Sequence, residues 1–380
     1  MKIAWLCNSA IGSSETFLGD NLELLQSIGE VRAFSGNPNF NGDARADVVH
    51  LQFDNHPQKL HHVLRRKFTG QDVRTLTKRK RCSHQVFKEL GDFDPDLVWV
   101  EFGTTAHVAS DLLHRLGKPY FIAVHGFDIT REFRDPWYAS EFVKLANSSA
   151  GVICASHHTQ NLCRTAGVNK DRCLVVRLPL NGSRLKRNTP LPEGPVRYVH
   201  LGRLVQKKGP LQTLMAFHSV LQTHSDARLT FIGEGPLKGP LNDYVQAHKL
   251  GASVNLLGAM NQADALAELE QHHVFCQHSV TGMDGDQEGF ALSPAEAALF
   301  EMPVVSTWHN GIPEHVEHGE TGLLVKEWDI EGMAQAMIRL ATDDQLRSKM
   351  GRAGRQRVMK LCNPQTRLDT LSQLLNSVIT

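Results

Sequence analysis

The sequence has no long apolar run, no paired cysteine motif and almost no net charge. No stretch approaches the ~20 consecutive apolar residues that cross a bilayer, and the first apolar run, Lys2–Cys7, predicts a strand because it is too short for a signal-peptide core. The seven cysteines are an odd number without a CxxC pair, so they indicate reduced thiols in a cytoplasmic protein and no zinc site. Because 41 Lys and Arg nearly balance 40 Asp and Glu, the chain as a whole does not attract nucleic acid or an anionic membrane.

The length and the order of the apolar runs indicate two domains. The 380 residues are enough for two domains that each bury a core. Short apolar runs alternate with helix-like segments, the pattern of βαβ units around a parallel sheet. The alternation breaks at 180–195, where prolines at 190, 192 and 195 mark a linker. We therefore predict an α/β protein of two Rossmann-like, doubly wound domains.

Apolar runs place strands in both halves of the chain. Those of the first half are Lys2–Cys7, Glu30–Phe34, Asp47–Leu51, Leu97–Val100, Tyr120–Val124, Gly151–Cys154 and Cys173–Val176. Those of the second half are Val196–Leu201, Arg228–Ile232, Val254–Leu256, Val274–His278, Pro303–Thr307 and Gly322–Val325. Ligands of such sheets bind beyond the carboxyl ends of the strands. The residues just after each strand are therefore the first candidates for a site.

Two cations follow the first strand of the second half. Arg203 and Lys208 stand five residues apart after Gly202, and a helix is predicted from Pro210. A guanidinium fork, an ammonium and the free N–H groups of a helix start together suit a diphosphate. The alternative is a solvated basic turn.

A dinucleotide fingerprint is missing. Gly233-Glu234-Gly235-Pro236 follows a strand but lacks the third glycine of GxGxxG, and a proline there suits the first turn of a helix. This disfavours an enzyme that uses nicotinamide.

Two glutamates form the most informative constellation. Glu288 lies in a glycine-containing loop and Glu296 about two turns into the predicted helix Ala291–Phe300, so both can face one cleft. A carboxylate accepts two hydrogen bonds, which suits a pair of sugar hydroxyls. The preceding Asp284-Gly285-Asp286 is either a metal-binding motif or, as we favour, a polar turn.

With these residues in place, the second half resembles the family 4 glycosyltransferases, which have the two-domain GT-B architecture. The resemblance rests on Gly202-Arg203 with Lys208-Gly209, on Glu288-x7-Glu296, and on the run from Pro303 to Val325. More weakly, 14–18 and 125–128 resemble the bacterial exopolysaccharide subgroup, to which colanic acid and amylovoran transferases belong. The Asp-Gly-Asp-Gln-Glu-Gly spelling points to the same subgroup.

The resemblance implies roles for individual residues. Arg203 and Lys208 would neutralise the nucleotide diphosphate, Glu288 would contact hydroxyls of the donor sugar, and Glu296 would contact the ribose. His125 would face the donor sugar from the other domain, and Asp128 would lie near the acceptor. The remaining residues implied to bind substrate are Gly12, Ser13 and Glu15, which would line the cleft, and Gly289, Phe290, Gly311 and Ile312, whose backbone would approach the phosphates and sugar.

The resemblance also implies the reaction, the retaining transfer of a sugar from a nucleotide donor to an acceptor hydroxyl. It needs negative charge stabilised on the departing nucleoside diphosphate. Because Arg203 and Lys208 supply cations, we expect no metal and no cofactor. No side chain is clearly placed as a nucleophile, so we favour same-face attack.

The implied architecture divides the chain into three segments. An acceptor-binding domain would span 1–185, a nucleotide-sugar-binding domain 186–360, and a C-terminal helix 361–380. In the family this last helix crosses back to the first domain. A plain core helix of the second domain remains the alternative, because the leucines of Arg367–Ile379 fit either.

Basic residues concentrate in segment 58–88. Ten positive residues against Asp72 give it a charge of +9, although the whole chain has +1. A solvated face is one interpretation. The other is docking on anionic phospholipid or a lipid-diphosphate acceptor, which would make the protein peripheral on the inner face of the cytoplasmic membrane. Nucleic-acid binding is disfavoured because no such motif accompanies the segment.

Two alternatives to the transferase stay open. A nucleotide-sugar epimerase or hydrolase of the same architecture would release nucleotide without an acceptor. A non-catalytic protein would bind the sugar nucleotide without turnover. Arg203, Lys208, Glu288 and Glu296 are all intact, which argues against a decayed site.

Overall fold

The computed structural model of the chain describes residues 1–7, 17–35, 48–50, 53–55, 80–82 and 84–379. Gly12, Ser13, Glu15 and most of the basic segment 58–88 therefore lie outside the described residues. The chain divides into two compact units. The first unit comprises Met1–Ala155, Gln160–Val176 and Leu368–Thr380, and the second comprises Ser156–Thr159 and Arg177–Arg367. Apart from the short segment Ser156–Thr159, the second unit is one continuous stretch, Arg177–Arg367.

The first unit is built on a parallel sheet of seven described strands. Their order is β3-β2-β1-β6-β7-β8-β9. The strands are β1 Lys2–Leu6, β2 Glu30–Ser35, β3 Val48–His50, β6 Leu97–Glu101, β7 Tyr120–Val124, β8 Gly151–Cys154 and β9 Cys173–Val175, and an antiparallel pair joins β4 Phe53–Asn55 to β5 Lys80–Cys82. The helices of this unit are Phe17–Gln26, His84–Phe93, Gly103–Val108, Ser110–Leu116 and Pro136–Ser148, and His157–Thr165 lies mostly within it. Strands β6 and β7 are buried along their whole length, as apolar strands covered on both faces should be.

Alternate residues of the central strands pack into two apolar clusters, one on each face of the first sheet. Ala4 and Leu6 belong to one cluster, and Ile3 and Trp5 to the other. This alternation is the two-residue period of a strand. Leu371 and Leu375 of the last helix, Pro364–Asn376, join the cluster of Ile3 and Trp5. The end of the chain therefore completes the core of the first unit, as the resemblance implied.

The second unit has a parallel sheet of six strands. Their order is β12-β11-β10-β13-β14-β15. The strands are β10 Arg197–Leu201, β11 Arg228–Ile232, β12 Val254–Gly258, β13 Val274–Cys276, β14 Val304–Thr307 and β15 Gly322–Val325. The helices of this unit are Pro210–Val220, Lys238–Ala247, Gln262–Leu269, Leu292–Leu299, Ile312–His315, Ile330–Thr342 and Asp344–Leu361. Asn261, Asp329 and Asp343 each cap a helix by accepting a backbone N–H at its start.

Both sheets have the strand order of a dinucleotide-binding fold. Leaving out the β4–β5 pair, each sheet places its first strand beside its fourth, so the direction of winding reverses there. The predicted fold class, two Rossmann-like domains, is confirmed. In such a sheet ligands bind at the carboxyl ends of the strands that flank this reversal. In the second unit these strands are β10 and β13, and in the first unit β1 and β6. None of the described helices combines the length and apolar character that crossing a bilayer requires.

Candidate functional site

The loop after β10 is held against the end of β13 by a glycine. Residues Gln206–Lys208 form a short 3-10 helix, and Gly209 follows with φ of 56°, in the left-handed region. A Cβ on Gly209 would lie 1.8 Å from the carbonyl oxygen of His278. Only glycine permits this conformation and this approach together. The lysines of the loop are thereby fixed at the reversal point of the second sheet.

Lys208 forms an ion pair with Glu288. Its Nζ donates to Glu288 Oε2 at 3.2 Å, and the two side chains are 13% and 7% exposed. The lysine stem also packs over Gly202, where a Cβ would lie 3.4 Å from Lys208 Cε. The predicted cation and the predicted carboxylate thus meet at the carboxyl ends of β10 and β13.

Glu288 is a buried carboxylate with one oxygen left over. Burial raises the pKa of Glu288, but the charges of Lys208 and Lys207 outweigh burial and lower it to about 2. Its Oε1 is buried and has no hydrogen-bond partner among the described residues. A buried acceptor without a partner is rare, since it forfeits its hydrogen bonds to water. Glu288 therefore offers a charged acceptor to a ligand hydroxyl.

Lys207, which was not among the predicted site residues, pairs with Asp286. Its Nζ donates to Asp286 Oδ1 at 3.0 Å and to the carbonyl of Gln287 at 3.3 Å. Asp284 Oδ1 accepts from the N–H of Asp286, and Gly285 has φ of 81°, which makes this segment a tight turn. In the described part of the chain no three His, Cys, Asp or Glu side chains are grouped to hold a metal ion. The segment Asp284–Asp286 is thus a turn that is bonded to Lys207.

Arg203 is more exposed than the two lysines of its loop. Arg203 is exposed, and no ion pair or hydrogen bond of its side chain exists among the described residues. Glu296 is half-buried on the helix Leu292–Leu299. That helix starts one residue later than predicted, because Ala291 has φ of 60° and cannot continue a helix. Arg203 is therefore a cation available to an anionic ligand.

The backbone segments predicted to approach a ligand are tightly packed. Ser156 Oγ donates to the carbonyl of Gly289 at 2.9 Å, and His315 Nε2 lies 2.9 Å from the carbonyl of Phe290. A Cβ on Gly311 would lie 2.3 Å from the carbonyl of Gly289, so a side chain has no room there. The side chains of Phe290 and Ile312 are buried. The approach of this backbone to a ligand stays a prediction.

A network of His309, Asn310 and Glu327 surrounds the backbone of Glu288. His309 Nε2 accepts the N–H of Glu288 at 3.2 Å, and its Nδ1 lies 2.6 Å from Glu327 Oε1. Asn310 Nδ2 donates to the carbonyl of Glu288 at 3.2 Å and to Gln287 Oε1 at 2.9 Å. The loop that carries Glu288 is thus fixed by residues that follow β14 and β15.

In the first unit His125 pairs with a buried glutamate. His125 Nε2 lies 2.7 Å from Glu101 Oε2, and Glu101 is fully buried at the carboxyl end of β6. Burial raises the pKa of Glu101, but hydrogen bonds from His125, Trp99 and Trp5 hold it below its usual value. The imidazole of His125 packs between Phe17 and Phe102, with ring centroids 4.7 and 4.8 Å away.

Asp128 accepts hydrogen bonds from the backbone around His125. It was expected near the acceptor, but its side chain is fully buried and both carboxylate oxygens accept backbone hydrogen bonds. Oδ1 accepts from the N–H groups of His125 and Gly126, at 3.1 and 2.9 Å, and Oδ2 accepts from Gly103 at 2.9 Å. Asp128 thus holds the loop of His125 in place, and its expected position near the acceptor stays a prediction.

The structure adds four residues to the predicted sites, and their positions could have revealed them. Glu101 ends a strand, and His309 and Glu327 stand just beyond the predicted strands Pro303–Thr307 and Gly322–Val325. Lys207 adjoins the predicted Lys208. All four residues lie at or after the ends of strands, where ligands of such sheets bind, but the family resemblance assigns a role to none of them.

Comparison with known proteins identifies the class. Two family models match adjacent parts of the chain: Glycosyltransferase Family 4 over residues 41–182 and Glycosyl transferases group 1 over residues 183–357. The structure of HepE from Anabaena in complex with UDP-glucose matches this fold with a TM-score of 0.80, at 18% identity, over 99% of this chain and 100% of HepE. Fold and family models together define a glycosyltransferase of the GT-B type.

Curated relatives place the chain within that class. The putative colanic acid biosynthesis glycosyltransferase WcaL of Salmonella typhimurium is 28% identical over 291 residues, which are 75% of this chain and 71% of WcaL. The amylovoran biosynthesis glycosyltransferase AmsK of Erwinia amylovora is 28% identical over 253 residues, which are 66% of this chain and 62% of AmsK. The chain thus spans less than two thirds of AmsK. It belongs to the family 4 glycosyltransferases, in the subgroup of these exopolysaccharide-associated enzymes.

Proposed function

We propose that this protein is a retaining hexosyltransferase that uses a UDP- or GDP-linked sugar. Its acceptor would be a hydroxyl of a lipid-linked glycan in exopolysaccharide synthesis. The relatives WcaL and AmsK are glycosyltransferases of colanic acid and amylovoran biosynthesis, which supports a role in exopolysaccharide synthesis. The complexes of HepE with UDP and with UDP-glucose support the kind of donor.

The Lys208–Glu288 pair is the observation that carries this proposal. The ammonium of Lys208 lies at the carboxyl ends of β10 and β13, and Arg203 is exposed on the same loop. Ligands of such sheets bind at these strand ends, so both cations support binding of a diphosphate. The unpartnered Oε1 of Glu288 supplies an acceptor for a hydroxyl of the donor sugar. A cation for the leaving group beside an acceptor for the sugar suits a nucleotide-diphosphate sugar.

The proposed reaction proceeds by attack on the face from which the diphosphate leaves. The acceptor oxygen bonds to the anomeric carbon, the bond from that carbon to the phosphate oxygen breaks, and the phosphate oxygen takes the acceptor proton. Glu288 is a poor nucleophile because Lys208 binds it and its pKa is about 2. Lys208 and Arg203 would stabilise the leaving diphosphate, so we propose a reaction without metal or cofactor. Turnover should persist in excess chelator, and trapping of a glycosyl–Glu288 intermediate would contradict this mechanism.

Nucleotide release tests the proposed function. The full chain is incubated with UDP-glucose, UDP-galactose, GDP-mannose or GDP-fucose, with and without a polyprenyl-diphosphate-linked oligosaccharide. Release that depends on the acceptor supports the transferase. Release without acceptor indicates an epimerase or hydrolase, and binding without release indicates a non-catalytic protein. Arg203→Ala should abolish turnover, and Arg352→Ala, which removes an exposed arginine of the same unit, is the matched control.

We also propose that segment 58–88 docks the protein on an anionic membrane surface. The support is its charge of +9, with each basic residue near such a surface contributing ~1 kcal/mol. Sedimentation with vesicles of phosphatidylcholine alone or with 30% phosphatidylglycerol, at low and high salt, tests this. Binding that depends on neither anionic lipid nor salt would contradict the proposal.

A further inference from the structure

Glu327 connects three loops at the carboxyl edge of the second sheet. Its Oε1 lies 2.6 Å from His309 Nδ1, and its Oε2 accepts the N–H of Thr281 at 2.9 Å. Glu327 follows β15, His309 follows β14, and Thr281 follows β13. The side chain of His309 is fully buried and that of Glu327 is 28% exposed. The contact therefore lies at the rim of the candidate site, with the imidazole beneath the carboxylate.

The contacts of His309 determine where its proton is. Its Nε2 lies 3.2 Å from the backbone nitrogen of Glu288 and 3.0 Å from Asn310 Nδ2. A backbone N–H can only donate, so Nε2 must be the acceptor. The proton of the neutral ring is then on Nδ1, where it is donated to Glu327.

We propose that Glu327 and His309 are positioning residues for Glu288, and this rests on the proposed function of Glu288 in donor binding. The carboxylate of Glu327 selects the Nδ1–H form of His309. That form alone leaves Nε2 free to accept the N–H of Glu288. With the proton on Nε2, two N–H groups would face each other across 3.2 Å. The loop carrying Glu288 would then shift, and its carboxylate would leave Lys208.

Two substitutions of His309 test its two hydrogen bonds separately, the one to Glu327 and the one to the backbone of Glu288. In His309→Asn the amide nitrogen can replace Nδ1 and donate to Glu327, but nothing reaches the N–H of Glu288. In His309→Gln the amide oxygen can replace Nε2 and accept from Glu288. We expect kcat to fall about 10²-fold in His309→Asn and to recover most of its value in His309→Gln, because misplacing a reacting group by about 1 Å has an effect of that size.

Glu327→Gln tests the contact of Glu327 with His309 from the side of the carboxylate. It should lower kcat in the same direction as His309→Asn, while the Kd for UDP stays within about threefold, since Lys208 and Arg203 are retained. A general loss of folded protein would instead reduce UDP binding and turnover together. Glu331→Gln, which removes an exposed carboxylate bonded to Gln335 on the same unit, is the matched control and should behave as wild type.

Nitrogen NMR of the histidine rings shows which nitrogen of His309 carries the proton, without any activity assay. In full-length protein labelled with ¹⁵N-histidine, the ring of His309, assigned by its absence in His309→Asn, should carry its proton on Nδ1. Glu327→Gln should mix the two neutral forms. A proton on Nε2 in the wild type, or full kcat in both His309→Asn and Glu327→Gln, would overturn the proposal. If the wild type releases no nucleotide from any donor, the proposed function fails. The NMR result still decides whether Glu327 keeps the proton of His309 on Nδ1.

Discussion

Lys208 Nζ and Glu288 Oε2 lie 3.2 Å apart, and both side chains are almost completely buried. The two residues come from loops after different strands, β10 and β13, and each compensates the charge of the other in a place that water hardly reaches. Removing one partner of such a pair leaves a buried charge without compensation, which costs more than the pair itself contributes. This relationship gives a stability test that is separate from activity.

Lys208→Ala should destabilise the protein by about 3–5 kcal/mol, because Glu288 is then buried without its cation. The double variant Lys208→Ala/Glu288→Gln should recover much of this loss but none of the activity. Urea denaturation followed by circular dichroism measures both. Arg203→Ala is the control for charge. Arg203 is exposed and forms no ion pair within the part of the chain that the structure describes, so its loss should leave the urea midpoint unchanged. Equal stability of Lys208→Ala and Arg203→Ala would contradict the importance of the pair.

Glu101→Gln should destabilise the first unit by about 2 kcal/mol, the usual effect of losing hydrogen bonds to a buried charge. Glu101 accepts from Trp5 and Trp99 at 3.2 and 2.9 Å and contacts His125 at 2.7 Å. The amide nitrogen of Gln must then face one of these donors. Tryptophan fluorescence during urea denaturation measures the loss. Glu132→Gln, which changes a carboxylate bonded to a partly exposed arginine, should have a smaller effect.

Much of the fold could be predicted from the sequence, because buried parallel strands are continuous apolar runs. Tyr120–Val124, Gly151–Cys154, Arg228–Ile232 and Gly322–Val325 have the predicted bounds. A predicted strand end was wrong where pairing with a neighbouring strand, and not the apolar run itself, determines where the strand stops. Strand β13 ends at Cys276 and not at His278, because pairing with β14 stops there.

Lys208 and Glu288 could be singled out from the sequence, but their contact could not, and Lys207, His309 and Glu327 were not predicted. Glu288 and Lys208 were predicted separately as ligands of sugar and phosphate. Their contact depends on the approach of the Gly209 loop to His278, which no spacing in the sequence encodes. Asp128 is a carboxylate that follows a strand, as a substrate-binding residue would be. Its structural role is visible only from its three backbone hydrogen bonds.

Gly209→Ala should destabilise the protein by roughly 3 kcal/mol or more. The alanine would need a left-handed backbone, and its Cβ would meet the carbonyl oxygen of His278, which is backbone and cannot rotate away. Gly251→Ala is the matched control. A Cβ there meets nothing within 4 Å, so this variant should be as stable as the wild type. A similar thermal midpoint for both variants would contradict the close packing of the loop.

Acid should destabilise the second unit as the pH falls from about 6.5 towards 4. Burial lowers the pKa of His272, His278 and His315 to about 4 and that of His200 to about 3, from 6.5. Because these pKa values are depressed in the folded state, the unfolded chain binds more protons in this range. The stability associated with neutral histidines is therefore complete above pH 6.5 and is lost on acidification.

The number of histidines sets the slope of this effect. Each proton taken up on unfolding changes the free energy of unfolding by about 1.4 kcal/mol per pH unit, so several buried histidines together make the pH dependence steep. Thermal unfolding by circular dichroism at pH 7, 6 and 5 measures it, and an unchanged midpoint over this range would contradict the prediction. His315→Gln should reduce the slope by one proton, because a glutamine can still donate to the carbonyl of Phe290 but does not titrate.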